Sequence, residues 1–139
     1  MALRRYLLDT DICIHIARKK PSQVLERLKR LAPGEVAMSV VTYGELIYGC
    51  YRSRETVAAL AGIEELRAII PVEPMDAGVA LCFGRIRAEL EAKGTPIGAY
   101  DLMIAAHSLS LGLILVTNNV REFGRVEGLR IENWIVSAA

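Results

Sequence analysis

The sequence predicts one α/β domain, a mainly parallel sheet of four to five strands flanked by helices. Three observations lead there. Short apolar runs of strand length alternate with longer helical segments, and that alternation builds parallel sheets through right-handed crossovers. A chain of 139 residues has room for one core and not for a second of useful size. Apolar residues make up 53% and aromatic residues only 6%, so Leu, Ile, Val and Ala must fill the interior. That mixture suits helices packed on a buried sheet better than an all-β sandwich.

The elements follow in order. Residues 5–9 read as a short buried strand ending on the carboxylate of Asp9. Thr10 or Asp11 is placed to cap a helix from Ile12 to about Lys19. Pro21 suits the first turn of the next helix, residues 22–31, where Leu25, Leu28 and Leu31 share a face. Pro33 and Gly34 mark a turn. A strand at 36–39 precedes helices at 41–51 and 54–67, and residues 68–71 (AIIP) read as a third strand. A long amphipathic helix at 76–93 closes at Gly94. After a loop through Pro96 and Gly98 comes a helix at 99–111, with Gly112 as its stop. A strand at 113–117, a helical turn at 120–125 and a strand at 129–132 complete the chain. No repeat, linker or low-complexity stretch interrupts the pattern, so residues 1–139 are read as one domain.

Composition narrows the function classes. Lys and Arg number 17 against 16 Asp and Glu, a net charge of +1. That is not the footprint of a protein that coats nucleic acid, so any RNA contact must come from a local basic patch. Cys13, Cys50 and Cys82 are odd in number and form no CxxC, which points to buried, reduced thiols. No apolar run approaches the ~20 residues of a membrane span, and Tyr6 to Leu8 is too short for a signal peptide. A cytoplasmic protein with no membrane association is expected.

In an open parallel sheet, ligands bind beyond the carboxyl ends of the strands. Asp9, Ser39 and the run Thr117, Asn118, Asn119 fall at that edge, and two acids, Glu45 and Asp101, lie early on helices. Asp101 is the most telling. Its surroundings are apolar nearly all round the helix, and no Lys or Arg stands within a turn. An unpaired buried carboxylate costs several kcal/mol unless it is protonated or meets a cation. Each acid also has a plainer explanation. Asp101 can serve the helix dipole, and Asp9 can end a strand and cap a helix. Thr42 and Glu45 can form a capping box, with Ser39 as a rival cap, and Asn119 and Glu122 can form another. Together, however, Asp9, Glu45 and Asp101 make an all-oxygen cluster, which suits Mg²⁺ or Mn²⁺. Zinc is disfavoured because neither His15 nor His107 has a partner at ligand spacing; both read as structural or surface groups.

Four motifs occur in order: LLDTDICI at 7–14, SVVTYGEL at 39–46, YDLMIAAH at 100–107 and LVTNNVREF at 115–123, with GLRIENW closing at 128–134. In spacing and flanking sequence the chain resembles a PIN domain of the VapC toxin type over essentially its whole length. The resemblance implies that Asp9, Glu45 and Asp101 hold a catalytic metal. It places Asn119 where many relatives carry a fourth acid, leaving at most a weak or water-mediated ligand there. Thr117 would hydrogen-bond one of the acids, and Asp11, where many relatives have Asn, stays a cap or peripheral group. The implied reaction is metal-assisted hydrolysis of an RNA phosphodiester, leaving a 5′-phosphate and a 3′-hydroxyl. Structured RNA such as tRNA is the implied substrate, a VapB-like antitoxin the implied inhibitor, and a homodimer the implied assembly.

The basic residues available to RNA are densest at Arg18, Lys19, Lys20, Arg27, Lys29 and Arg30, with Arg52, Arg54, Arg85, Arg87 and Lys93 as further candidates. Tyr43, Ile47 and Tyr51 recur every four residues, a spacing of core packing that the resemblance makes part of an antitoxin groove. Two rival functions remain open. Asp9 and Asp11 match the DxD of haloacid-dehalogenase-like phosphatases, although the phosphate-binding Lys and later acidic pair of that chemistry are not evident. A PIN scaffold that acts only by binding a partner is the other.

Overall fold

The computed structural model describes residues 3–19 and 22–135. Lys20 and Pro21, expected in the basic stretch and at the second helix start, lie outside them. Five strands form one parallel sheet: β1 (Tyr6–Leu8), β2 (Val36–Ser39), β3 (Val72–Glu73), β4 (Ile114–Val116) and β5 (Ile131–Glu132), in the order β3-β2-β1-β4-β5. Tyr6 to Leu8 align with Val36 to Met38 on one side and with Ile114 to Val116 on the other. The chain therefore builds outward from β1 to β3, then returns to the other side of β1. This makes β1 the switch point of the sheet, where side chains from both halves meet.

Every residue of β1 and β2 is buried, because helices cover both sheet faces. Tyr6, Leu8, Val36, Met38 and Val116 pack on one face with Ile12, Cys13, Val24, Leu46 and Ile63. That layer is made by α1 (Thr10–Arg18), α2 (Ser22–Lys29), α3 (Val40–Arg52) and α4 (Thr56–Ile69). Leu7, Ala37 and Leu115 point the other way, onto Ile86, Leu90, Leu102, Ile104 and Ala105. Those side chains come from α5 (Ala77–Ala92) and α6 (Ala99–Leu111); a short α7 (Val120–Phe123) precedes β5. The alternation along each strand is the period-two geometry of the backbone.

The third strand differs from expectation. Residues 68–71 are not a strand: α4 continues to Ile69, and the strand starts after Pro71. Ile63, Leu66 and Ile70 are buried at helical spacing, and Ile70 N–H bonds the Leu66 carbonyl at 2.8 Å. Burial of that stripe outweighs the β preference of two adjacent isoleucines, and Pro71, which cannot extend the helix, sets its end. Gly112 does close α6, at φ 68°, in the left-handed region that glycine enters freely.

Candidate active site

The carboxyl edge of the sheet gathers the polar residues around the switch point. Asp9 directly follows β1 and is only 5% exposed. Its Oδ1 accepts the Ile12 N–H at 2.9 Å, so Asp9 itself caps α1, rather than Thr10 or Asp11. The Thr117 hydroxyl also bonds this carboxylate. Thr117 Oγ1 in turn accepts the Asn119 N–H at 2.9 Å, so one buried hydroxyl ties Asp9 to the loop after β4. Burial pushes the Asp9 pKa up to about 6 despite those two hydrogen bonds, and the charges of Asp11 and Asp101 add to the rise.

Asp101 is the third residue of α6 and is half-buried. An acid at the third position of a capping box would take the N–H of the cap residue, here Gly98. That N–H donates instead to Glu122 Oε1 at 3.0 Å. Among the described residues Asp101 has neither hydrogen bond nor ion pair. Its pKa is also pushed up to about 6, by burial first and then by repulsion from Glu122, Glu45 and Asp11. The position profits from the helix dipole, but no ion pair among the described residues neutralises the charge.

Glu45 lies half-buried on the second turn of α3. The capping box with Thr42 is absent: Ser39 Oγ accepts the Val41 N–H at 3.1 Å and caps the helix. Glu45 Oε1 accepts instead from the Thr10 hydroxyl, at 2.8 Å. Asn119 does not cap α7 with its side chain; its Nδ2 donates to Glu122 Oε2 at 2.7 Å, while Oδ1 accepts no hydrogen bond among the described residues.

Glu122 is the residue that sequence reasoning undervalued. Treated only as a partner for Asn119, it bridges the starts of α6 and α7 and presses its charge on Asp101. Its signal was an acid three residues past the motif position where an acid was missing. His107 proves to be structural, fully buried, with Nδ1 2.8 Å from Ser39 Oγ. Burial lowers its pKa, against the opposing influence of the Pro74 backbone, Glu73 and Asp76. Ser39 Oγ accepts from Val41 and still has its own proton to donate to Nδ1 of a neutral ring.

The acids therefore share one sheet edge and repel one another, while none of the ion pairs among the described residues includes Asp9, Glu45, Asp101 or Glu122. In donor type and charge this set fits a hard divalent cation. As placed, no three His, Cys, Asp or Glu side chains among the described residues stand close enough to hold a metal ion between them. Asp9 and Glu45 each hold a hydrogen bond within the protein instead.

Beside Glu45 opens an apolar groove of about 920 Å³, lined by Ile14, Leu25, Leu28, Leu46, Ile63 and Leu66 of α1 to α4, with Arg18, Lys19 and Lys29 among its walls. Tyr43 and Ile47 pack partly into the adjoining core, whereas Tyr51 is 69% exposed, so the aromatic stripe is core at one end only. Of the other basic candidates, Arg27, Arg85 and Arg87 pair with Glu132, Glu89 and Glu91. Cys13, Cys50 and Cys82 are all free thiols. No helix among the described residues is long and apolar enough to cross a membrane.

The model of the PIN domain matches residues 6–129. The tRNA(fMet)-specific endonuclease VapC of Shigella flexneri is 48% identical over 130 residues, covering 94% of this chain and 98% of that protein. The crystal structure of DNA-bound VapBC from Salmonella typhimurium contains a chain 43% identical to this one. It superposes with a TM-score of 0.89, over 94% of this chain and 98% of its own length. VapBC-1 from nontypeable Haemophilus influenzae superposes equally well, at 35% identity and TM-score 0.89, over 97% and 100% of the two chains. Similarity of this extent joins fold and motif order in one assignment: the chain belongs to the PIN-domain family, among its VapC-type members.

Proposed function

We propose that this protein is a Mg²⁺- or Mn²⁺-dependent endoribonuclease that hydrolyses phosphodiester bonds of structured RNA, with tRNA the leading substrate, and is restrained by a VapB-like antitoxin. The observation that carries the reading is Asp101, a half-buried carboxylate with no hydrogen-bond or ion-pair partner among the described residues, repelled by the acids around it. Asp9, Glu45 and Asp101 would hold the ion, with Asn119 Oδ1 a weak or water-mediated neutral ligand. A bound divalent ion would supply water activation and compensation of the charge developing on the scissile phosphate. The protein's own contribution is orientation. Thr117 holds the Asp9 carboxylate, Thr10 holds Glu45, and Glu122 occupies the Gly98 N–H so that Asp101 stays free. Joining three carboxylates at one ion requires at least one of them to rotate from the position it holds here.

The Shigella relative's name supports tRNA as substrate, and the VapBC complexes support an antitoxin. The groove between α1 and α4 has the apolar lining and basic rim that a short amphipathic antitoxin segment would fill. A homodimer is part of the same proposal. The phosphatase alternative gains nothing from the site: Asp11, the second acid of its DxD pair, is exposed.

The test is incubation of the purified protein with total tRNA in Mg²⁺, Mn²⁺ or EDTA, beside Asp101→Asn and a small phosphoester control. Cleavage giving 5′-phosphate ends, lost in EDTA and reduced at least ~10²-fold by the substitution, is expected. Equal cleavage by Asp101→Asn overturns the catalytic assignment. Turnover of the small ester with RNA left intact favours the phosphatase, and antitoxin binding without cleavage favours a silent scaffold.

A further inference from the structure

We infer that Thr10 is a positioning residue for Glu45, the end of a directed hydroxyl chain from Thr42 through Thr10 that holds one carboxylate oxygen and leaves the other for a cation. The inference rests on the proposed role of Glu45 as a metal ligand. Thr10 Oγ1 lies 2.8 Å from Glu45 Oε1 and 3.2 Å from Thr42 Oγ1. A carboxylate can only accept, so the single hydroxyl proton of Thr10 goes to Glu45. Thr10 must then accept from Thr42, whose side chain is fully buried on the same helix as Glu45 and one turn before it. The direction of both hydrogen bonds is thereby set.

The geometry explains why this acid, and not its neighbours, needs such a hold. Asp9 sits at a strand end and is fixed by a backbone N–H and Thr117. Glu45 has one more rotatable bond and stands between the acid cluster and the mouth of the apolar groove, into which it could swing. Thr10 is the first residue of α1 and neighbours Asp9, so its bond pins Glu45 to the element that carries the first acid. Oε2 has no hydrogen bond among the described residues and is the oxygen left to bind a cation. Groups that orient a ligand in this way typically change metal affinity by ~10–100-fold when removed.

The experiment compares wild type, Thr10→Val, Thr10→Ser, Glu45→Gln and the Thr10→Val/Glu45→Gln double variant. Mn²⁺ affinity is read by electron paramagnetic resonance, and the Glu45 side-chain carboxyl ¹³C resonance is read in EDTA. Thr10→Val should weaken Mn²⁺ binding ~10-fold or more, and Thr10→Ser should restore it. The valine should have no further effect once Glu45 is Gln. In EDTA the Glu45 resonance should move in Thr10→Val and return in Thr10→Ser. Unchanged Mn²⁺ affinity in Thr10→Val, an equal loss in the Glu45→Gln background, or an unmoved resonance each overturns the positioning role. Wild type that binds no Mn²⁺ instead sinks the metal-dependent reading, and the resonance still decides whether Thr10 holds Glu45. Should Thr10→Val fail to fold, Thr10→Ala carries the same comparisons.

Discussion

Replacing Asp9 by Asn is expected to stabilise the metal-free protein at pH 7.5 while removing its activity. The Asp9 carboxyl has a pKa of about 6 in the folded protein against an ordinary value of 3.8, chiefly because it is buried. Two pKa units at 1.36 kcal/mol each set a ceiling of about 3 kcal/mol on the strain of holding that charge. Asn keeps an oxygen for the Ile12 N–H but meets the Thr117 hydroxyl less well, so a gain of about 1–2 kcal/mol is expected. At this chain length that is a rise of roughly 3–8 °C in Tm.

The pH dependence carries the sign. Because the folded pKa is raised, the native state retains a proton that the unfolded chain has released. Stability from protonated Asp9 is therefore full below about pH 4 and lost as pH climbs through about 6. The gap between wild type and Asp9→Asn should accordingly be near zero at pH 4 and full above pH 7. Urea unfolding in EDTA at both pH values measures it, and Mg²⁺ should then stabilise wild type but not the variant. A variant no more stable than wild type at pH 7.5, or a gap identical at both pH values, would refute the reasoning.

Other outcomes follow from the same geometry. Ser39→Ala removes the cap of α3 and the partner of His107 Nδ1, and should cost about 1–3 kcal/mol by urea midpoint. Trp134→Ala empties a site 2% exposed, where the ring meets Tyr6 edge-on at 5.3 Å, and should cost about 3–5 kcal/mol by thermal unfolding. In wild type, Mg²⁺ at ten times its Kd should add about 1.4 kcal/mol of stability, and Asp101→Asn should lose that increment, measured as a Tm shift against EDTA.

Much of this architecture was legible because its causes are local. Apolar runs around Leu7, Ala37 and Leu115 announced buried strands, and Gly112 announced the end of α6. The three acids stood out because they follow strands or lie early on helices, and a parallel sheet sends those positions to one edge. At residues 68–71 local preference misled, since two isoleucines favour a strand while the stripe from Ile63 to Ile70 completes a helix.

The order of residues by itself determined an α/β chain and which acids follow its strands or lie early on its helices. Tertiary structure alone decided which group holds which. Thr10 meets Glu45 across 35 positions, Glu122 takes the Gly98 N–H across 24, and His107 reaches Ser39 across 68. Hydrogen bonds of that kind depend on strand order and on where each helix axis falls, and no periodicity within a ten-residue window encodes either.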